Sequence, residues 1–351
     1  MESLLCDEKW VVSPYSVSDH HAREAFENSG DSEHVCHGGS WFGMTQQDCD
    51  AELAICLEKE RGYMPESGYV ECLEAKGLVF ARTRVMQWLI KCRSRLKLSY
   101  GTMFLAANYF DRFVSICKCQ EWKHWIVELV SIACLSVASK FNETLSTLSL
   151  HEIQMEDLDH SFQSSTIQRM ELMLLQMLGW RLGPITAYSY VELLTCNSDF
   201  LTSHLQEQFI TKVNDLLLHS LLDINFVDFR PSVIAASAFQ CGFDSVFTLS
   251  STVCLTNYIR QIIGQDQREM DLMKCQKLME VQIASECFRA ITCGSFSYCP
   301  SSPVTVLLAE RIDVNDDHVD LSIFMVQARS CIGIAKSKKT ETKEKHQLNN
   351  F

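Results

Sequence analysis

WIVELVSIACLSVASKFNE, residues 125–143, is the stretch whose reading decides the fold. Between Leu129 and Ser139 it carries no charge, and its apolar residues run all the way round a 3.6-residue period. A helix that is apolar on every side is a central helix with other helices packed around it. Ala133, Ser136, Ala138 and Ser139 intersperse small side chains among Val130, Ile132, Leu135 and Val137, which lets those neighbours approach closely. A membrane span needs roughly 18 or more consecutive apolar residues. Glu128 and Lys140 bracket a shorter run, so the sequence points to a buried core helix with a polar tip at Lys140, Phe141, Asn142 and Glu143.

Working outward, 351 residues that are 47% hydrophobic and 21% charged suit two domains of about 100 to 200 residues each with tails to spare. A formal net charge of −13 argues against direct nucleic-acid binding, whose footprint is a basic stripe. No membrane association is expected. The 17 cysteines form no C-x-x-C pair, and several sit in apolar helical runs, as at Cys92, Cys134, Cys241 and Cys254. There a free thiol is a small hydrophobe. The opening MESLLCDEKWVVSPYS lacks the basic and apolar regions of a secretory signal, so a reducing compartment is expected.

Residues 1–48 are rich in Ser, Gly, His and Asp without periodicity, the composition of a disordered arm. From Asp50 the pattern turns helical, with Asp48 or Asp50 as cap, until the break at Gly62 and Pro65. No further proline occurs before Pro184, as in a helical bundle. Gly77 precedes a helix with Ala81, Val85, Trp88, Leu89 and Cys92 on one face. Ser99 caps a second, with Ala106, Ala107, Tyr109, Phe110 and Phe113. The central helix is third, a fourth lies near His151 to Met155, and a fifth runs from about Ser165 to Leu178. Pro184 starts a second cycle: ITAYSYVELL, then about His204 to Leu222, then an Ala-rich helix opened by Pro231, then segments near Ser245 to Ile263 and Gln267 to Ile291. One five-helix plan is used twice, each time with a small-residue helix as its third member. After Cys293 the order fades, and the chain closes on KSKKTETKEKH, which reads either as a solvated tail or as a nuclear-import patch.

A search for catalytic chemistry finds no phosphate-cradling glycine loop, no H-E-x-x-H and no G-x-S-x-G. Asp313, Asn315 and Asp317 begin like a calcium loop, but His318 stands where the sharp turn needs glycine and Phe324 where the closing acid belongs. Cys36-His37 and Cys117-x-Cys119 lack partners at zinc spacing. No catalytic residue, metal site or cofactor is expected.

The informative polar residues are charges set in apolar helices. Arg82 and Asp111 are a natural pair, since neither is tolerated in a core alone. Arg82-x-x-Val85-x-x-Trp88-Leu89, then Asn108-Tyr109-Phe110-Asp111-Arg112-Phe113, then Ala138-Ser139-Lys140-Phe141-Asn142-Glu143, then Gln168-Arg169-Met170-Glu171 resemble the successive helices of a cyclin box. Phe229-Arg230-Pro231-Ser232 and the Ala-rich run after it resemble the C-terminal box of plant D-type cyclins. Near the start, Leu4-x-Cys6-x-Glu8 with acidic neighbours is similar to the retinoblastoma-binding motif of that family.

The resemblance covers about residues 49–292 and implies an all-α fold of two tandem five-helix cyclin boxes. The expected layout is an arm with the retinoblastoma motif (1–48), an N-terminal box (49–182), a C-terminal box (183–297) and a low-order tail (298–351). It implies a regulatory subunit, not an enzyme, that activates a cyclin-dependent kinase of the A type and directs it to retinoblastoma-related protein at the G1/S transition. Kinase-inhibitor proteins are further implied partners, and the nucleus is the implied location, with the cytoplasm beside it. In this reading Lys140 and Glu171 hold the kinase backbone, Phe141 and Leu175 add apolar contact, and Arg82 with Asp111 is structural. The family's substrate-docking patch is altered: Ala81, Arg84 and Lys91 replace two apolar residues and an acid, while Val85 and Trp88 survive. Two other classes stay open at this point. One is a cyclin-fold, transcription-factor-like adaptor without kinase activation. The other is a helical enzyme using Asp316-Asp317-x-x-Asp320, which resembles the magnesium motif of isoprenoid synthases.

Overall fold

Helix is the rule over nearly all the residues that the computed structural model describes: 46–117, 122–143, 149–154, 158–196, 203–246, 259, 267–284, 312–314 and 321. All belong to one unit spanning 36–351. Helix α1 (Gln46–Lys59) runs into a 3-10 turn (Glu60–Tyr63), followed by α2 (Tyr69–Ala75), α3 (Val79–Leu96), α4 (Tyr100–Ile116) and α5 (His124–Asn142). A single turn, α6 (Leu150–Ile153), strand β1 (His160–Phe162) and α7 (Ser164–Met177) complete the first half. The second half holds α8 (Ala187–Cys196), α9 (Ser203–Leu222), α10 (Pro231–Val246) and α11 (Gln267–Ala284), with strand β2 (Ile312–Val314) beyond them.

The quoted stretch is the hub of the first half. Every residue of α5 from Ile126 to Ser139 is buried, beneath α4, α7, α3 and α6. By length and mean hydropathy alone α5 could cross a membrane, but 78% of its apolar window is buried inside the protein. In the second half α10 takes the same place against α8, α9 and α11, and Ala235, Ala236, Ser237 and Ala238 are wholly buried. Small side chains at both hubs let surrounding helices pack at close range.

Local signals explain most boundaries. The Ser99 hydroxyl accepts from the Thr102 amide at the start of α4, and Ser149 with Glu152 forms a reciprocal capping box on α6. Gly77 takes a φ of +63°, which L side chains resist. The Leu78 amide can then reach back to the Leu73 carbonyl at 2.8 Å, closing α2 in a Schellman turn. Gly179 does the same for α7, with Trp180 N–H on Leu175.

The structure differs from the sequence reading in three places. Helix α1 starts at Gln46, so Asp48 and Asp50 lie within it; Asp48 sits in the first turn, where an acid favours the positive helix end. Helix α2 was not anticipated, because its one buried face, Tyr69 and Leu73, is too short to show a period. Finally, the helical architecture is as expected, with one small strand pair added to it. β1 and β2 run parallel, with His160 opposite Ile312 and Phe162 opposite Val314, so a piece of the compositionally weak tail docks on the first half. The segment expected near Ser245 to Ile263 falls mostly outside the described residues.

Candidate functional site

Two ion pairs organise the surface that α3, α4, α5 and α7 present. The first is internal. Arg82 on α3 places Nε and Nη2 each 2.9 Å from the two carboxylate oxygens of Asp111 on α4. The Tyr69 hydroxyl of α2 donates to the same carboxylate at 2.8 Å, and Arg82 Nη1 donates to the Leu221 carbonyl on α9 at 3.0 Å. Four helices, one of them from the second half, are thus joined at one buried fork. Burial pushes the Tyr69 hydroxyl well above its ordinary pKa, and the Asp111 charge adds to this. For Arg82 burial opposes the charge, yet Asp111 outweighs it and the guanidinium ends above its usual value.

The second pair is at the rim. Lys140, in the last turn of α5, sets Nζ 2.7 Å from both oxygens of Glu171 on α7. The lysine side chain is 57% exposed and the glutamate 11%. Phe141 follows Lys140, and Leu175 lies one turn beyond Glu171; both are half-buried against the core. The structure therefore brings Lys140 and Glu171 together and frames them with apolar surface. It does not leave the rest of the polar tip open. Glu143 accepts from the Ser99 amide at 2.8 Å and the Thr102 hydroxyl at 2.6 Å, and Asn142 donates to the Ser99 and Thr102 hydroxyls. The end of α5 is tied to the start of α4, which fixes where Lys140 stands.

Val85 and Trp88 are buried, each 6% exposed, and they line a groove of about 260 Å³ with Arg84, Trp122, His124 and Glu128. Phe80 stands on its rim with 74% of its surface exposed. Leu4, Cys6 and Glu8 lie outside the described residues, as do the Asp316 cluster and the basic tail.

Sequence reasoning missed two carboxylates. Glu60 is completely buried. It accepts from the Tyr190 hydroxyl at 2.9 Å, the Ser232 amide at 2.9 Å and the Ser232 hydroxyl at 2.8 Å. A carboxylate at the first turn of α10 suits the positive end of that helix, and it staples the second half to the segment after α1. The only signal was Ser232 following Pro231, which marks the helix start but not its partner. Glu192, on α8 beside Phe141 and Asn142 in a smaller cleft, has its pKa pushed up by burial to about 7.

Comparison with known proteins gives two consecutive family matches: the cyclin N-terminal domain over residues 52–183 and the cyclin C-terminal domain over 185–291. Cyclin-D3-3 of Arabidopsis thaliana is 36% identical over 199 residues, 56% of this chain and 54% of that protein. The match thus spans about half the length of that relative. Cyclin-D2-2 of Oryza sativa subsp. japonica is 30% identical over 287 residues, 81% of this chain and 77% of that protein. Cyclin-D1-1 of Arabidopsis thaliana is 30% identical over 250 residues, 68% and 73% of the two chains. An X-ray structure of a viral cyclin from herpesvirus saimiri aligns with a TM-score of 0.49 and 15% identity, over 66% of this chain and 95% of that one.

Proposed function

The chain belongs to the cyclin family, with D-type cyclins of plants among its relatives, and from that premise we propose that it is the regulatory subunit of a cyclin-dependent kinase, of the A type. In this reading it directs the kinase to retinoblastoma-related protein and promotes the G1/S transition, acting in the nucleus. Leu4, Cys6 and Glu8 recruit the substrate.

The observation that carries the reading is the Lys140–Glu171 pair. An ammonium only donates and a carboxylate only accepts, so together they can take both the carbonyls and the amides of a backbone segment. Without a partner they satisfy each other at 2.7 Å. Separating them is inexpensive on the lysine side, because that ammonium is 57% exposed and returns to water, whereas Glu171, 11% exposed, needs donors from the partner in its place. The rim is thus stable when free and exchangeable when a partner arrives. Phe141 and Leu175 supply apolar area beside it. Gripping the kinase's regulatory helix favours the active arrangement, in which that helix's glutamate meets the phosphate-binding lysine, by differential affinity for that state.

The test is co-purification of the full chain with an A-type cyclin-dependent kinase, compared with Lys140→Glu, together with phosphorylation of a retinoblastoma-related fragment. Binding and activity are expected in the wild type and lost in the variant, with Leu4→Ala lowering phosphorylation of that fragment only. A wild type that binds no such kinase overturns the proposal.

A further inference from the structure

At one end of the groove, three side chains from two segments converge on a small volume. His124 Nε2, in the first turn of α5, lies 2.8 Å from Asp159 Oδ2 and 3.7 Å from Glu128 Oε1 one turn further along the helix. The three ligand atoms lie within 4.8 Å of one another. Arg84 also reaches in, with Nη1 3.1 Å from the same His124 Nε2 and Nη2 3.8 Å from Asp159.

This arrangement cannot be satisfied by hydrogen bonding. Guanidinium is donor-only, ionised carboxylate is acceptor-only, and an imidazole nitrogen is one or the other. With a proton on Nε2 the contact to Asp159 is good and the contact to Arg84 sets donor against donor. With the lone pair on Nε2 the contact to Arg84 is good, and two lone pairs face each other at 2.8 Å. One of the two contacts is repulsive in either state.

We propose that His124, Glu128 and Asp159 form a binding site for a first-row divalent cation, and that Arg84 occupies the region as a displaceable counter-charge. A cation accepts lone pairs from all three atoms at once. One imidazole and two carboxylates are a donor set that suits zinc and its neighbours. The anchor is rigid: Glu128 is 5% exposed, its Oε1 takes the Asp159 amide at 3.0 Å, and its Oε2 takes the His160 amide at 3.1 Å and the His160 ring at 2.8 Å. Carboxylate ligands in metal sites are held by such outer hydrogen bonds. The remaining parts can adjust, since the His124, Asp159 and Arg84 side chains are 45%, 59% and 44% exposed. His124 and Glu128 line the groove beside Val85 and Trp88, so three protein ligands leave a coordination position on that side for water or a docked side chain. The sequence expectation of no metal considered cysteine spacings and compact motifs. Here the ligands come from positions 124, 128 and 159, which no local pattern joins. The proposal does not depend on the kinase reading.

The test uses cobalt(II) as the probe on the full-length protein, because its spectrum separates nitrogen and oxygen ligands from thiolates, and the chain has 17 cysteines. Wild type is expected to take up one cobalt without a thiolate charge-transfer band, and zinc is expected to displace it. His124→Ala and Asp159→Asn, both at exposed positions, should weaken uptake by more than the roughly 10- to 100-fold that outer-shell changes cost, with unchanged melting in the absence of metal. Arg84→Gln should tighten it several-fold. The proposal is overturned if uptake is carried by thiolates alone, if it persists in both ligand variants, if there is none, or if Arg84→Gln leaves the affinity unchanged.

Discussion

Arg82–Asp111 and Lys140–Glu171 are the same chemistry in two settings. Each joins a cation on one helix to a carboxylate on another through contacts of 2.9 Å and 2.7 Å. The first has 3% and 11% of its side-chain surface exposed and is surrounded by further donors and acceptors. The second has its lysine mostly in water. Burial therefore decides what an ion pair can do. A buried pair holds helices in place, because neither charge tolerates the loss of the other. Where only the cation reaches water, as at Lys140, it can leave its carboxylate when another molecule supplies donors to that carboxylate.

The comparison is sharpened most by removing one member of the buried pair. Asp111→Asn leaves the Arg82 guanidinium buried without a counter-charge and should cost about 3 to 5 kcal/mol of stability, read as the shift in a urea unfolding curve. The double change Arg82→Met with Asp111→Leu should recover part of that loss, since apolar replacement of a buried pair is often near neutral but the buried Tyr69 hydroxyl loses its acceptor. A double variant as unstable as the single one would break the assignment of the cost to an unpaired charge.

Next in size is Glu60→Ala, which strips one acceptor from three buried donors and should cost on the order of 2 to 4 kcal/mol, at about 1 to 3 kcal/mol for each group left unsatisfied with partial relaxation. Protection of α10 amides from hydrogen exchange should fall together with that of α8.

Glu192 offers a third case, a carboxylate in a cleft whose pKa rises from 4.5 to about 7. A raised carboxylate pKa means the folded state holds its proton more tightly than the unfolded chain does. Stability is therefore lost as pH climbs from 4.5 to 7 and is flat above that range. Glu192→Gln removes the penalty and should be more stable than wild type at pH 8 by about 1 to 2 kcal/mol. This is less than the full shift at roughly 1.4 kcal/mol per unit, because water reaches the carboxylate. The difference should shrink toward pH 4.5; a gap independent of pH would count against burial as its cause.

The smallest effect is expected at the rim. Lys140→Ala should cost the free chain about 1 kcal/mol, the upper end for a pair in contact with water, because Glu171 is only 11% exposed, while kinase binding falls sharply. A large loss of intrinsic stability would erase the distinction between the two pairs.

Much of the fold was legible because each hub helix carries its own evidence. The run from Leu129 to Ser139 is apolar on every face, and Ser99 and Pro231 mark helix starts; Gly77, read only as preceding a helix, also closes the unanticipated α2. Arg82 and Asp111 were legible as partners because an apolar helix tolerates a charge only when it is answered. What was hidden depends on contacts between distant segments. Glu60 looks like any exposed helix-end acid until Ser232 and Tyr190 arrive from 172 and 130 residues away. The strand pair and the His124, Glu128 and Asp159 cluster are similar: short, aperiodic pieces that acquire meaning only when packing brings them together.

The Glu60 staple has a further consequence in time. It joins residues separated by 172 positions, so a ribosome moving at about 5 to 20 residues per second needs roughly 10 to 30 s to supply the second partner after the first. Through that interval the carboxylate that will be completely buried is still hydrated, and the segment after α1 has nothing to close upon. Arg82 can already reach the Leu221 carbonyl on α9, but the Glu60 part of the seam closes only when α10 emerges. A nascent chain stalled before Pro231 therefore presents a first half with its own hub, with the Glu60 part of its seam still open.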